Sequence, residues 1–319
     1  MTKNRKGFCI SLLIILGALV IYSSSLVDRG HTLKRPFFTS ITIDGFSSAD
    51  IPYCSVQIGN QTIPAKIDLG YEGSLSVPPH LLSQIKGKIV STPSTNYGLN
   101  GKAYPINTFK VKKITMGGMN FSTTEIEESN LDLEQEMILE NNNSHEAKMM
   151  GRIGWKLFQE LTLLIDCKNH QLAICDSVET LQRRGFPIGR FTMTPFSLNH
   201  GFIEFDAISD KGQIHCVLDT GATWNMCNKK PENVRNNMPL FNARDTFEIS
   251  RFQIEAKDFG PITFNRIHSP LPLDAIIGME FFKDTMVIID FKNQKLYFYE
   301  YPEAAVSCWL QEDQGIESP

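Results

Sequence analysis

Several common signals of function are missing from this sequence of 319 residues. Lysine and arginine number 31 against 35 acidic residues, a net charge of −4, so the chain has no basic excess with which to bind a phosphate backbone. It contains no GxxxxGK[ST], GxGxxG, GxSxG or HExxH motif and no paired CxxC spacing. These absences argue against nucleic acid as a partner and give no support for nucleotide binding, serine hydrolysis or zinc. We expect no metal and no cofactor.

Cysteine is also scarce, with seven residues, far fewer than a small disulfide-stapled domain contains. Six of them lie beyond the N-terminal segment, an even number that permits disulfides without showing them. A bridge between Cys216 and Cys227 requires Cα atoms within about 7 Å of each other. With 42% hydrophobic and 21% charged residues, the composition is that of a folded globular chain with room for one large domain or two smaller ones.

The N-terminus carries a long apolar run. Three basic residues precede the stretch from Phe8 to Tyr22, FCISLLIILGALVIY. Its length suits the core of a signal peptide, and extension to Val27 makes it long enough to span a bilayer. We favour an uncleaved anchor, because Ser23-x-Ser25 fits a cleavage site poorly. Basic charge ahead of the run places the body on the extracytoplasmic side of the membrane, or makes it a secreted or periplasmic protein if the segment is removed.

The body of the chain contains two copies of one pattern. Asp68-Leu-Gly70 and Asp219-Thr-Gly221 each close a short apolar strand. A single Asp-x-Gly is most often a β-turn and carries no function by itself. Its repetition in similar surroundings therefore matters more than the tripeptide.

A second motif repeats further along each copy. Gly154 and Gly278 each follow an isoleucine, and each leads into an apolar strand that ends in aspartate. The spacing from glycine to aspartate is 12 residues in both copies, from Gly154 to Asp166 (166 − 154) and from Gly278 to Asp290 (290 − 278). Agreement in order, residue type and spacing predicts two homologous lobes. Turn geometry explains the two later aspartates without catalysis.

The rest of the body predicts an all-β chain, because short runs rich in β-branched and aromatic residues alternate with turn residues. The predicted strands include 54–58, 108–114, 162–165, 202–207, 246–254 and 286–289, with a short helix at 178–184. The predicted organisation is an anchor or signal at 1–29, a first lobe at 36–176 with an insertion at about 128–148, a linker at 177–190, a second lobe at 191–302 and a tail at 303–319.

Two facing lobes would bring Asp68 and Asp219 together. Carboxylates in contact cannot both ionise cheaply, so they share one proton. One carboxyl then acts as a base toward a bound water and the other as an acid toward the scissile carbonyl. This arrangement hydrolyses peptide bonds without a metal or a covalent intermediate.

The residues of the second copy carry a family resemblance. CVLDTGAT at 216–223, with AIIGMEFF at 275–282, resembles the active-site loop and the hydrophobic-hydrophobic-Gly motif of the retropepsin-like and pepsin-like aspartic proteases. The resemblance covers nearly the whole body, because the first lobe repeats the scheme in a weaker form. It implies an all-β, bilobal acid-protease fold of two β-barrel-like lobes, with a polypeptide substrate in the cleft between them and Asp68 and Asp219 as the catalytic dyad.

The resemblance also implies roles for neighbouring residues. Gly70, Thr220, Gly221 and Thr223 correspond to the active-site loops. The stretch NYGLNGKAY at 96–104 is similar to a flap hairpin with its tip at 100–101, in which Tyr97 and Gly98 contact the substrate. An ordinary hairpin aromatic is the alternative interpretation of Tyr97.

The first lobe departs from the family at three places. Tyr71-Glu72 replaces the small residues expected after Gly70, which places another carboxylate near the dyad. Leu69 stands where family members have Thr or Ser, whose hydroxyl forms hydrogen bonds across the lobe interface. Arg152 stands where the later glycine motif requires an apolar residue, although 149–151 offers an alternative match. The predicted function is an aspartic endopeptidase, anchored in the membrane or exported and monomeric.

Two alternatives remain open. One is a homodimer in which second lobes pair through 219–221, leaving the first lobe as support. The other is an inactive protein of the same fold that binds peptides or partner proteins at the membrane surface, an interpretation that Leu69 favours.

Overall fold

A computed structural model of the chain describes residues 36–47, 50–97, 102–129, 149–228, 241–269 and 273–301. Nearly all regular structure in these ranges is β, which confirms the predicted all-β class with two barrel-like sheets. The helices in them are short: the α-helices Pro79–Leu82, Val178–Arg183 and Met279–Phe282, and the 3-10 helices Trp155–Phe158 and Ile188–Arg190.

The first half of the described chain contains thirteen strands. They are β1 (Phe38–Thr42), β2 (Gly45–Phe46), β3 (Pro52–Ile58), β4 (Gln61–Ile67), β5 (Leu75–Val77), β6 (Ile89–Val90), β7 (Ser94–Tyr97), β8 (Ala103–Ile106), β9 (Thr108–Met116), β10 (Met119–Glu128), β11 (Gly151–Ile153), β12 (Thr162–Asp166) and β13 (Gln171–Cys175).

The second half contains twelve. They are β14 (Thr192–Pro195), β15 (Ser197–Asn199), β16 (Phe202–Ser209), β17 (Gly212–Leu218), β18 (Met226–Asn228), β19 (Phe241–Ile249), β20 (Phe252–Ile254), β21 (Lys257–Asp258), β22 (Ile262–Ile267), β23 (Ala275–Ile277), β24 (Thr285–Asp290) and β25 (Lys295–Glu300).

The first barrel-like sheet has the strand order β2-β3-β4-β11-β5-β10-β9-β6, with a further pairing between β3 and β9. Its strands alternate between buried and exposed residues, as β3 does, because one face covers the core and the other meets solvent. Gly117 and Gly118 join β9 to β10 in a two-residue turn with positive φ angles of 56° and 84°. Both central residues of such a hairpin turn need positive φ, which glycine adopts without steric cost.

The second barrel-like sheet repeats the same plan. Its order is β19-β22-β18-β23-β17-β16-β20-β21, so its inner strands β16-β17-β23-β18-β22 follow the order of β3-β4-β11-β5-β10. β11 runs parallel to β4 and antiparallel to β5, and β23 runs in the same way beside β17 and β18. The internal repeat read from the sequence is therefore a repeat of sheet topology.

A six-stranded sheet contains strands from both halves, in the order β1-β13-β12-β24-β25-β14. β12 and β24 pair antiparallel at its centre, with Leu164 opposite Ile288. Every residue of these two strands is buried, which explains why both read as continuous apolar runs. The sheet thus joins described strands of both halves within one compact unit, and the lobe boundaries drawn from the sequence stay predictions.

The turns after β12 and β24 are alike. Asp166 accepts hydrogen bonds from the backbone N–H of Asn169 at 3.0 Å and from its amide group at 2.7 Å. Asp290 accepts the same pair from Asn293, at 3.1 and 2.7 Å. These side chains close turns, which agrees with the structural role expected for both aspartates.

Most elements read from the sequence are present, with one difference. The predicted strand 246–254 is divided at 250–251, because β19 pairs with β22 while β20 pairs with β16. The predicted N-terminal anchor or signal at 1–29, the tail at 303–319 and nearly all of the insertion at 128–148 lie outside the described residues. Among the residues that are described, no helix is long and apolar enough to cross a bilayer.

Candidate active site

The two Asp-x-Gly turns occupy matching places in the two barrel-like sheets. Asp68 directly follows β4, and its backbone N–H donates to the carbonyl of Ile153 at the end of β11, 2.9 Å away. Asp219 directly follows β17, and its N–H donates to the carbonyl of Ile277 at the end of β23, 3.0 Å away. Each aspartate is thus fixed where a strand leaves its parallel neighbour.

The turns bring the two carboxyl groups together. Asp219 Oδ1 accepts the N–H of Gly221 at 2.7 Å and that of Gly70, from the other turn, at 3.0 Å. A Cβ atom at Gly70 would lie 2.5 Å from the Asp219 carboxyl, and one at Gly221 would lie 2.3 Å from Asp68 Oδ1. No side chain fits at either glycine, and the carboxyls of Asp68 and Asp219 are in hydrogen-bond contact.

The electrostatic environment of Asp219 favours its protonated form. Protein atoms packed around the carboxyl raise its pKa from 3.8 to about 7, and the negative charge of Asp68 adds to the rise. The N–H groups of Gly221 and Gly70 act in the opposite direction, because they stabilise the ionised carboxylate. Asp219 therefore carries the shared proton across the acid range, which is the state that a general acid requires.

Hydroxyl hydrogen bonds between the two turns come from the second turn only. Thr220 Oγ1 donates to the carbonyl of Ile67 at 2.7 Å and accepts the N–H of Leu69 at 3.0 Å. These bonds join the two barrel-like sheets, and the side chains of Thr220 and Leu69 are fully buried at the junction. Leu69 has no hydroxyl with which to return them, so the pair of reciprocal bonds that the resemblance implies is half present.

The repeated glycine of each copy lies in close contact with the backbone of the loop that follows the aspartate. A Cβ atom at Gly154 would lie 2.1 Å from the carbonyl of Gly73, and one at Gly278 would lie 2.4 Å from that of Trp224. In the second lobe, Asn225 Oδ1 also accepts the N–H of Gly278 at 2.9 Å. The repeated glycine of the sequence therefore supports the loop that carries the aspartate.

The remaining predicted site residues lie in the loop after Asp219 and in the predicted flap. Thr223 is half-buried in the loop that connects the Asp219 turn to β18. Tyr97 ends β7 and pairs with Ala103 of β8, so a hairpin is present where the flap is predicted. Gly98 and the predicted tip at 100–101 lie outside the described residues. Contact of this hairpin with a substrate stays a prediction.

The sequence did not predict a cationic partner for Asp68. Arg152 Nη1 lies 3.6 Å from Asp68 Oδ2, and its guanidinium covers the Tyr71 ring at 5.0 Å from the centroid. The registers of β11 and β23 match Arg152 with Ile276 and not with the alternative at 149–151. The sequence did contain one signal of this contact, because Arg152 is charged at a position where the repeat has an apolar residue.

The described cysteines are all free. Cys216 and Cys227 lie on opposite sides of β23, both in register with Ala275, so two strand spacings of about 4.8 Å separate their backbones. That separation exceeds the limit for a disulfide. Burial raises the pKa of both thiols, which makes them poor nucleophiles. Within the described ranges, no three His, Cys, Asp or Glu side chains converge in a way that could hold a metal ion.

Comparison with known proteins supports the fold and goes no further. No protein-family model matches the chain, and no curated protein sequence matches it. Among solved structures, the chain is similar to basic 7S globulin from soybean, at 9% identity and a TM-score of 0.53, over 83% of this chain and 95% of the globulin. The globulin has an aspartic-protease-like fold, so the likeness supports a pepsin-like fold for this chain.

Proposed function

We propose that this chain is an aspartic-type endopeptidase in which Asp68 and Asp219 activate a water molecule for attack on a peptide bond. The observation that carries the proposal is the direct contact of two buried or partly buried carboxyls, each packed against the glycine of the opposite turn. A pair of this kind shares one proton, which is what acid–base hydrolysis needs. The pepsin-like fold is consistent with this chemistry but does not establish it.

The environments of the two carboxyls assign their roles in the reaction. Asp68 lies beside the Arg152 cation and serves as the base, while Asp219 carries the proton and serves as the acid. Asp68 removes a proton from water as its oxygen bonds to the peptide carbon, and Asp219 protonates the carbonyl oxygen. The resulting diol collapses as the C–N bond breaks: the departing amine takes the proton that Asp68 received, and Asp219 takes one from a diol hydroxyl. A carboxylic acid and an amine result, and the starting protonation of the pair is restored.

The test is cleavage of an unbiased peptide library by the full-length chain between about pH 3.5 and about pH 7.5. Asp68→Asn and Asp219→Asn keep the size of each side chain and remove its titration. We expect each variant to lose activity by about 100- to 10,000-fold. Asp258→Asn is the control, because Asp258 is an exposed residue whose carboxylate accepts only a local bond from Gly260.

The outcomes separate the alternatives. Loss in both variants, with Asp258→Asn unaffected, supports a dyad within one chain. Loss in Asp219→Asn alone supports a homodimer through the second lobe, against the monomer that we propose. Absence of cleavage by the unaltered chain at every pH overturns the peptidase proposal.

A second candidate function is the binding of peptides or partner proteins without hydrolysis. Two observations favour it: Leu69 lacks the hydroxyl of the family, and Arg152 occupies one side of Asp68. An inactive relative would bind library peptides to the same residues without cleaving them. Binding measured by mass spectrometry of captured peptides, in the absence of products, would select this function.

The N-terminal sequence supports a location at the membrane or beyond it. We propose that the body works on the extracytoplasmic side, either anchored by the segment at 8–22 or released after cleavage near 23–25. Fractionation of cells expressing the chain, with N-terminal sequencing of the product, distinguishes the anchored form from the released one. Recovery of the intact chain in the cytosol would contradict both forms.

A further inference from the structure

Arg152 is an unusual residue at the centre of the first barrel-like sheet. It lies on β11 between β4 and β5, with only 12% of its side chain exposed. The matching residue of the second lobe is Ile276, which is 1% exposed and packs in an apolar cluster. A cation is expensive to bury, so its place here needs compensating partners. Asp68, at 3.6 Å, is one of them.

A chain of contacts continues from Arg152 to the predicted flap. The guanidinium stacks on the Tyr71 ring, and the Tyr71 hydroxyl donates to Glu127 Oε2 at 2.7 Å. Asn96, on strand β7 of the flap hairpin, donates its amide N–H to the same oxygen at 2.9 Å. Burial and the charge of Glu127 raise the pKa of Tyr71 well above its ordinary value, so its hydroxyl stays a donor at all working pH values.

The charged groups around Arg152 come from several strands. Asp68 faces it from the end of β4, Glu127 acts on the shared Tyr71 from β10, and Lys66 lies in register with it on β4. Asp219 contacts Asp68 from the second lobe.

We propose that Arg152 is a positioning residue of the dyad, which holds Asp68 as its charged member and fixes Asp68 relative to the flap hairpin through Tyr71, Glu127 and Asn96. This inference rests on the proposed peptidase function and extends it. A guanidinium suits both tasks, because its plane stacks on an aromatic ring while its N–H groups face a carboxylate. A cation beside a carboxylate favours its ionised form, so loss of the cation should cost activity first at acid pH.

The test compares kcat and KM against pH for the full-length chain and three variants. Arg152→Gln removes the charge, and we expect the acid limb of kcat/KM to move up by about one pH unit, which is a tenfold loss at a fixed acid pH. Arg152→Lys keeps the charge without the planar stack, so it should restore the acid limb and leave a higher KM. Arg266→Gln is the control, because Arg266 stacks on Phe247 in the second lobe at 4.5 Å.

A purely structural role gives a different result. In that case Arg152→Gln lowers kcat by the same factor at every pH and Arg152→Lys does not rescue the acid limb, which overturns the proposal. A shift of the same size in Arg266→Gln overturns it as well, because the effect would then be unspecific.

The role of Arg152 can be tested even if the chain is not a peptidase. If the unaltered chain cleaves nothing, carboxyl titration by NMR of the full-length chain labelled with carbon-13 in aspartate provides the readout. The resonance that Asp68→Asn removes identifies the first carboxyl. Its titration midpoint should move up by about one pH unit in Arg152→Gln, and an unchanged midpoint overturns the role of Arg152 whatever the activity.

Discussion

The two lobes share a backbone plan and differ in what surrounds each aspartate. Matching the strand registers pairs polar residues of the first lobe with largely apolar residues of the second. The pairs are Lys66 and Val217, Tyr71 and Ala222, Ser76 and Met226, Glu127 and Asn265, and Arg152 and Ile276. Four of the second-lobe members pack in one apolar cluster, whereas the first-lobe members include two cations, a carboxylate and a phenol.

Two copies of one backbone geometry can therefore differ in their chemistry. The position of each carboxyl depends on strand order and on glycines, which both lobes keep. The charge on each carboxyl depends on the side chains around it, which the lobes do not share. One aspartate faces a cation, whereas burial and the charge of the first aspartate raise the pKa of the other. The proposed roles, with Asp68 as the base and Asp219 as the acid, rest on this inequality.

The largest effect should come from the glycines, where the lobes are most alike. Gly70→Ala and Gly221→Ala each insert a methyl group 2.3–2.5 Å from the opposite carboxyl. Either carboxyl must move, so we expect kcat/KM to fall by about 100-fold or more in both variants. Gly59→Ala is the control, because no atom lies within 4 Å of its Cβ position, although its positive φ lowers stability a little. If kcat/KM falls in only one of the two variants, the two glycines do not have equivalent roles.

A smaller effect is expected at the one-sided junction. Thr220→Val removes the hydroxyl and leaves the N–H of Leu69 and the carbonyl of Ile67 without this partner in the core. We expect the free energy of unfolding to fall by about 2–4 kcal/mol, measured by urea denaturation. Thr220→Ser keeps the oxygen and should lose less than half as much. Equal losses in the two variants would show that packing of the methyl group, and not the hydrogen bonds, joins the lobes.

The smallest effect concerns the raised pKa of Asp219. In the folded chain the group binds its proton up to about pH 7, whereas the unfolded chain releases it near 3.8. The folded state therefore binds more protons between these values, and stability falls as the pH rises through this window. We expect Asp219→Asn to be more stable than the parent at pH 7 by about 1–2 kcal/mol, a figure reduced for the partly open surface of this carboxyl. The prediction is contradicted if the free energy of unfolding of the parent, relative to that of Asp219→Asn, does not decline as the pH rises.

The sequence predicts strands well where one physical pattern governs them. The alternating strand at 54–58 and the continuous apolar run at 286–289 each lie within an observed strand, since burial on one face or on both fixes these patterns. The run 246–254 is rich in Phe and Ile, with apolar residues at 247, 249, 252 and 254, yet it forms two strands. The change of partner from β22 to β16 depends on tertiary packing, which a local pattern does not contain.

The sequence predicted that the two Asp-x-Gly turns meet, but it did not predict which charged side chains surround them. The doubled Asp-x-Gly predicts that two carboxyls meet, because related lobes place equivalent turns face to face. The contact between Arg152 and Asp68 depends on the register of β11 against β4 and on the course of a long side chain. Neither can be read from residues that lie more than eighty positions apart in the sequence.

The pairing of β12 with β24 has a consequence for synthesis of the chain. Strand β12 is complete when residue 166 leaves the ribosome, but its partner ends at Asp290, near the end of the described chain. During that interval one edge of a strand that the folded chain buries completely is uncovered, and uncovered edges recruit strands from other molecules. Contacts of such long range also slow the search for the native state. Expression of the first half alone should therefore yield an aggregating product, and a chaperone that covers apolar edges should raise the yield of the complete chain.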